Sequence, residues 1–306
     1  MKIAIVGTGG VGGYFGARLA QSGSDVHFIA RGRHLEAMRS EGLRVESPLG
    51  NMLIKPVSVT AEPETIGPVD LAIVAVKLWD TEAAARSLQP LIGPHTAVIS
   101  LQNGVDKDAI LARFVDKKNI LGGLCYIAAS IGGPGLIQHA GKMARITFGE
   151  FNRTRSERAL AFLKALQDAG VTAELSDDIE REIWEKFVFL VGLSATTTLM
   201  RSAIGPIRSD ADARALLLDT MDETVRVGIA KGVGLDPEYA NKGLELCDGV
   251  PATMMSSMQV DLSRGNRLEL DWLSGAVVRF GKALNVSTPV NRVTYGALKL
   301  HINGTT

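Results

Sequence analysis

The first half of the chain alternates short apolar runs with segments of helical period, and the second half keeps the helical period throughout. Lys2–Val6 is a short apolar β run, followed by a 3.6-residue pattern over Val11–Ser22 that stops at Gly23. Asp25–Ala30 reads as a second strand and Arg33–Ser40 as a helix. Leu43–Ser47 and Met52–Val59 flank the turn Pro48-Leu49-Gly50-Asn51, which predicts an antiparallel insertion. Asp70–Val76 and Thr96–Leu101 are nearly continuous apolar runs, as expected of strands buried on both faces. Ile120–Ala129 and Arg145–Gly149 add two strands, Arg155–Ala169 a helix and Val171–Leu175 a short strand. This alternation predicts an α/β domain built on a parallel sheet covered on both sides. From Asp177 onward no strand pattern remains. Helical periods run over Ile179–Thr198, Ala211–Lys231, Pro237–Leu246, Ala252–Ser263, Leu268–Leu284 and Pro289–His301. The boundary is placed in Glu174–Asp178, giving an α/β domain over 1–176 and an all-α domain over 177–306.

Composition narrows the function class. Two domains suit 306 residues, and 46% hydrophobic residues suffice for a sizeable core. Lys plus Arg and Asp plus Glu both number 33, so the chain lacks the electrostatic footprint of a nucleic-acid or anionic-membrane binder. Cys125 and Cys247 are far apart with no histidine cluster beside them, so neither a disulfide framework nor a metal site is expected. That usage fits a reducing, cytoplasmic compartment. Met1-Lys2-Ile3 runs straight into a strand and leaves no room for a signal peptide. No run of about 18 uninterrupted apolar residues is present. The most apolar stretch, Phe187 to Leu193, reads as a buried helix, and the apolar helices after Pro206 could supply a homodimer surface.

Gly7-Thr8-Gly9-Gly10-Val11-Gly12 is a Gly-x-Gly-x-x-Gly loop, informative because it lies between a strand and a helix. In a Rossmann-type domain Gly7 allows the tight turn, Gly9 lets the backbone approach a pyrophosphate, and Gly12 lets helix and strand pack closely. Gly7, Gly9, Gly10, Val11 and Gly12 are therefore candidate nucleotide contacts, with an ordinary strand–helix turn as the alternative. An NAD enzyme usually places an acid at the end of the second strand. Here the run is Ala30-Arg31-Gly32-Arg33-His34, with no acid until Glu36. Arg31 suits a 2′-phosphate, which favours NADPH; a solvated surface arginine is the other reading.

Lys77 and Asn103 close two apolar strands, the place where open parallel sheets bind ligands. Each is a candidate for the nicotinamide side of the cleft, or else a snorkelling lysine and a turn residue before Gly104. Lys186 stands at the start of the apolar stretch Phe187-Val188-Phe189-Leu190-Val191. Burial lowers a lysine pKa, and a lysine tuned toward neutrality can protonate an oxygen that has just received a hydride. Its alternative is a tail that reaches water.

As a whole the chain resembles the ketopantoate reductase (2-dehydropantoate 2-reductase) family. The resemblance rests on Met1-Lys2-Ile3 with its glycine loop, Arg31, Val76-Lys77, Leu101-Gln102-Asn103-Gly104, Trp184-Glu185-Lys186, Ser256-Ser257-Met258-Gln259-Val260-Asp261 and Glu269-Leu270-Asp271. It implies that Lys186 is the general acid, that Glu269 works with it, and that Ser257 binds the substrate carboxylate. It also places Lys77 and Asn103 near the nicotinamide ribose and the reacting centre. One departure stands out. The family commonly carries substrate-facing asparagines four and eight residues after the lysine, and this chain has Leu190 and Ser194. The expected activity is NADPH-dependent reduction of a 2-oxo acid, ketopantoate to pantoate in pantothenate biosynthesis by default. The alternatives are a paralogue reducing a different branched or apolar 2-oxo acid, and a non-catalytic NADPH sensor.

Overall fold

The computed structural model describes residues 1–305. Two compact units are found, Met1–Asn103 with Lys107–Ile179, and Gly104–Asp106 with the chain from Glu180 onward.

The first unit is built on a ten-stranded sheet. Its strands are β1 (Lys2–Val6), β2 (Asp25–Ile29), β3 (Leu43–Glu46), β4 (Met52–Ile54), β5 (Ser58–Thr60), β6 (Leu71–Val74), β7 (Ala97–Ser100), β8 (Ile120–Gly133), β9 (Leu136–Gly149) and β10 (Thr172–Leu175). The order is β4-β3-β9-β8-β7-β6-β1-β2-β5, with β10 added on β9. The stretch β7-β6-β1-β2-β5 is parallel. Successive residues of β1 enter opposite layers: Ile3 and Ile5 pack in one apolar core, Ala4 and Val6 in the other. This two-sided burial is why the strands read as unbroken apolar runs. Helices α1 (Gly10–Gln21), α2 (Gly32–Glu41), α3 (Thr81–Ser87), α4 (Lys107–Leu111) and α5 (Glu157–Asp168) complete the unit. Neither α3 nor α4 is foreseen from the pattern, being too short to show a period.

Three expectations need correction. The sheet is mixed rather than parallel: besides the expected antiparallel insertion of β3 and β4, β8 and β9 pair antiparallel. Met52–Val59 is not one strand. It breaks around Pro56, which has no N–H to give a ladder, and β4 and β5 end at opposite edges of the sheet. The strand expected at Arg145–Gly149 is the end of a 14-residue strand starting at Leu136, paired with a 14-residue β8. Its outer part, Gln138 to Met143, is largely solvent-facing and gly- and polar-rich, so no apolar alternation marks it.

The second unit is helical: α6 (Ile179–Met200), α7 (Ile204–Ser209), α8 (Ala211–Ala230), α9 (Tyr239–Gly249), α10 (Ser257–Ser263), α11 (Ser274–Leu284) and α12 (Pro289–Leu298). Glu180 and Glu182 in the first turn of α6 suit its positive end. Helix α6 is long and apolar enough to cross a membrane by length and composition, but 67% of its most apolar window is buried within the fold. Trp184, Phe187 and Val191 face one apolar core, Val188 and Leu193 another. Two expected helices are shorter. Ala252–Ser263 is helical only from Ser257, where the Ser256 hydroxyl accepts the Gln259 amide at 3.1 Å and caps it. Leu268–Leu284 is broken at Leu273 (φ −105°, ψ −106°), which separates a 3₁₀ turn at Leu270–Trp272 from α11.

Candidate active site

In the first unit the carboxyl ends of β7, β6, β1 and β2 lie side by side. Val6 is in register with Ile29 and Val74, and Val74 with Ser100. The residues just past those ends are Asn103, Lys77, the glycine loop and Arg31. At about 4.8 Å between strands they line an edge of roughly 14 Å. The chain builds β2 on one side of β1 and β6 on the other, so this edge is a topological switch point.

Each glycine of the loop does a different job. Gly7 has φ +99°, and a Cβ there would lie 2.9 Å from the Val76 amide nitrogen. A Cβ on Gly12 would stand 2.2 Å from the Gly7 carbonyl oxygen, so only glycine lets α1 pack this closely. A Cβ on Gly10 would likewise stand 2.2 Å from the Ala129 carbonyl oxygen on β8. A Cβ on Gly9 would meet nothing within 4 Å, so that side of its backbone faces open space. Val11 packs, half-buried, on the apolar core. The Thr8 hydroxyl donates to the Ile29 carbonyl at 3.0 Å and pins the loop to β2. Helix α1 has no side-chain cap and no acid in its first turn, so its amides are ready for an anion.

Arg31 is exposed, with extended backbone at the start of α2, and no acid occupies the first turn of that helix. Lys77 is exposed, its Nζ 5.6 Å from the centre of the Trp79 ring. Asn103 is half-buried. Beside it the buried Gln102 side chain donates to the Val76 carbonyl at 3.0 Å and to the Thr81 hydroxyl at 2.8 Å. Gln102 thus braces the ends of β6 and β7, setting the residues that carry Lys77 and Asn103. It sits inside the Leu-Gln-Asn-Gly run, yet spacing alone gives it no role.

In the second unit Lys186, Leu190 and Ser194 follow one another at four-residue intervals along α6 and share one face. Lys186 and Leu190 are half-buried and Ser194 is fully buried. Glu269 is 8% exposed at the head of the 3₁₀ turn. Its neighbours Leu268 and Leu270 enter the same apolar core as Trp184, Phe187 and Val191, which holds the Glu269 segment against α6. From the other side the Asp271 carboxylate accepts from the Tyr295 hydroxyl at 2.7 Å and Lys299 at 2.9 Å. Burial pushes Asp271 up, but Tyr295 and Lys299 outweigh it and hold the carboxyl below its ordinary value. Ser257 is exposed at the first position of α10. The buried Ser256 before it is hydrogen-bonded to Thr197 of α6 at 2.8 Å, fixing where α10 begins. Neither Tyr295 nor Thr197 carries a signal in the sequence, since their partners are 24 and 59 residues away.

Both cysteines are buried and neither is in a disulfide, and burial pushes the Cys247 thiol up to about 12.

Residues 3–153 match a family model described as ketopantoate reductase PanE/ApbA, and residues 178–302 match its C-terminal counterpart. The chain is 33% identical to an uncharacterized oxidoreductase, YkpB, of Bacillus subtilis, over 98% of this chain and 99% of that one. It is 32% identical to the 2-dehydropantoate 2-reductase of Mesorhizobium japonicum, over 94% of each. The solved 2-dehydropantoate 2-reductase of Geobacter metallireducens superposes with a TM-score of 0.90 at 30% identity, over 98% of this chain and 99% of that one. A D-mandelate dehydrogenase solved with NADH and anilino(oxo)acetate superposes at 0.88 with 26% identity, over 98% of each.

Proposed function

The chain belongs to the ketopantoate reductase family, an oxidoreductase family, and from that premise we propose that it reduces a 2-oxo acid to a 2-hydroxy acid with NADPH. Ketopantoate, the substrate named in several relatives, is the first compound to test. The reading is carried by the switch-point edge, where an open glycine backbone and an uncapped helix end precede an arginine with no acid beside it. These features fit a dinucleotide: Gly9 and the α1 amides would hold the pyrophosphate and Arg31 the 2′-phosphate. Bound there, the reduced nicotinamide supplies a hydride for the carbonyl carbon.

The chain's own residues then handle orientation and the proton. Lys77 and Asn103, at the ends of β6 and β7, would orient the ribose and the substrate. Ser257 would bind the substrate carboxylate. Hydride addition leaves negative charge on the carbonyl oxygen, and Lys186 would give it a proton while Glu269 balances the lysine's charge. Leu190 and Ser194, further along the same face of α6, would meet the substrate's side chain.

A second reading is favoured by Leu190. An apolar side chain where a substrate hydroxyl would seek a partner discriminates poorly for that hydroxyl. It suits a more apolar 2-oxo acid, and a structural relative is named for D-mandelate. Nucleotide oxidation with a panel of ketopantoate, 2-oxoisovalerate and phenylglyoxylate decides between them. Preference for ketopantoate supports the first reading and preference for phenylglyoxylate the second. Tight NADPH binding without turnover on any member of the panel would leave a sensor.

A further inference from the structure

The helical unit contains a cavity of about 420 Å³ at the far end of α6 from Lys186, walled by α10 and the segments after it. That volume lies in the range of small-molecule sites. None of the residues assigned above to nucleotide, substrate or proton transfer lines it. We propose that this cavity binds a small metabolite through a phosphate or carboxylate group.

Three side chains carry the inference. Gln259 is 5% exposed and lines the cavity, and its Oε1 is buried with no hydrogen-bond partner. An unpaired buried amide is costly, and in a native fold it marks a place where a ligand or an ordered water completes the bonding. The amide can turn either end to a guest, since its oxygen and nitrogen exchange by a flip. Arg201 follows α6 directly with φ +52°, a left-handed turn that a non-glycine residue seldom adopts. Its side chain lines the cavity and makes no ion pair or hydrogen bond among the described residues, and the same holds for His301. No Asp or Glu is among the described lining residues. An unpaired guanidinium and an imidazole in one lining, with no carboxylate among the described lining residues, select an anionic oxygen. The wall is preformed. Gly265 (φ +68°) and Gly304 (φ +78°) touch backbone to backbone, and the Thr305 amide donates to the Gly265 carbonyl at 3.0 Å.

The test is a residue-resolved amide NMR titration of the whole chain, saturated with NADP⁺ so that the nucleotide site does not compete. Inorganic phosphate is titrated in one arm and citrate in the other. Saturable shifts at Arg201, Gln259, Gly265 and Asn266 are expected in at least one arm, and that arm names the group recognised. Arg201→Ala, an exposed position that keeps the fold, should raise the dissociation constant at least about tenfold. Gln259→Met should weaken binding too, while a bound water alone would leave the affinity unchanged in both variants. Absence of saturable shifts in both arms, or equal affinity in wild type and Arg201→Ala, overturns the proposal. Failure of NADP⁺ to bind would count against the proposed function instead, and the same titration without nucleotide would still decide this one.

Discussion

Arg31 and Lys186 hold single positions, and each makes a claim that one substitution can check. Arg31 is exposed at the end of β2 with no acid in the turn that follows. A charged hydrogen bond to a phosphate is worth about 1.5–3 kcal/mol, so Arg31→Ala should weaken NADPH by roughly 10- to 100-fold. NADH, which has no 2′-phosphate, should lose little. Equal losses measured by fluorescence titration would show that Arg31 does not read the phosphate. Lys186→Ala should lower kcat by about 10²–10⁴-fold, the usual worth of a positioned acid, with NADPH affinity nearly intact. Glu269→Ala should also slow turnover. The double variant should lose less than the product of the two, because the groups act as a unit. Multiplicative losses in steady-state kinetics would mean that the two act independently.

At the scale of elements, the glycine loop separates folding from binding. Gly12 sits where α1 crosses the strand end, and a Cβ there would meet the Gly7 carbonyl oxygen at 2.2 Å. Backbone cannot yield as a flexible side chain can, so Gly12→Ala should cost about 1–3 kcal/mol through overpacking and lower the melting temperature. Gly9, with φ −80° and open space above it, should accept alanine without loss of stability. The added methyl would instead stand where the backbone must approach a pyrophosphate. Gly9→Ala should therefore keep the wild-type melting temperature and bind NADPH at least about tenfold more weakly. A calorimetric scan and a nucleotide titration on both variants check the contrast, and a destabilised Gly9→Ala would break it. Similar logic makes Gln102 an element-level residue, because it ties two strand ends rather than touching a ligand.

Across the whole molecule, pH stability depends on which carboxylates are paired. Glu150 is buried at the end of β9, where burial alone would raise its carboxyl. Arg158 at 2.7–2.8 Å and the Ser156 hydroxyl at 2.6 Å outweigh burial and hold it below its ordinary value. A depressed carboxyl pKa contributes stability above its unfolded value, and that contribution is lost as pH falls through the folded value. Asp108 has the opposite sign. Burial raises its carboxyl above its ordinary value despite the Lys107 ammonium at 2.9 Å, so its ionisation weakens the native state as pH rises through the raised value. Glu150→Gln should therefore lose about 1–3 kcal/mol at pH 7, and the gap to wild type should narrow as pH falls below the ordinary carboxyl value and through the depressed one. Urea midpoints followed from pH 7 down through the acid limb measure it, and a gap that never narrows would remove Glu150 from that limb.

The sequence by itself determined the strands that are apolar on both faces, the glycine loop between strand and helix, the long helix α6 and the switch to an all-helical second half. It could do so because those features rest on local periodicity and on residues whose backbone needs are intrinsic. It also put Lys186 forward from its place at the head of an apolar helix, and Glu269 and Ser257 through the resemblance to a family rather than through spacing. Tertiary structure alone decided that β4 and β5 part to opposite sheet edges, and that β8 and β9 run on as a long antiparallel hairpin. Pairing partners are set by packing between distant segments, which no local pattern records. The same reason hides Gln102, whose donors bridge 26 and 21 residues, and the Asp271–Tyr295 contact that steadies the Glu269 turn. A hydrogen bond across such separations depends on where the chain returns, and only the folded core fixes that.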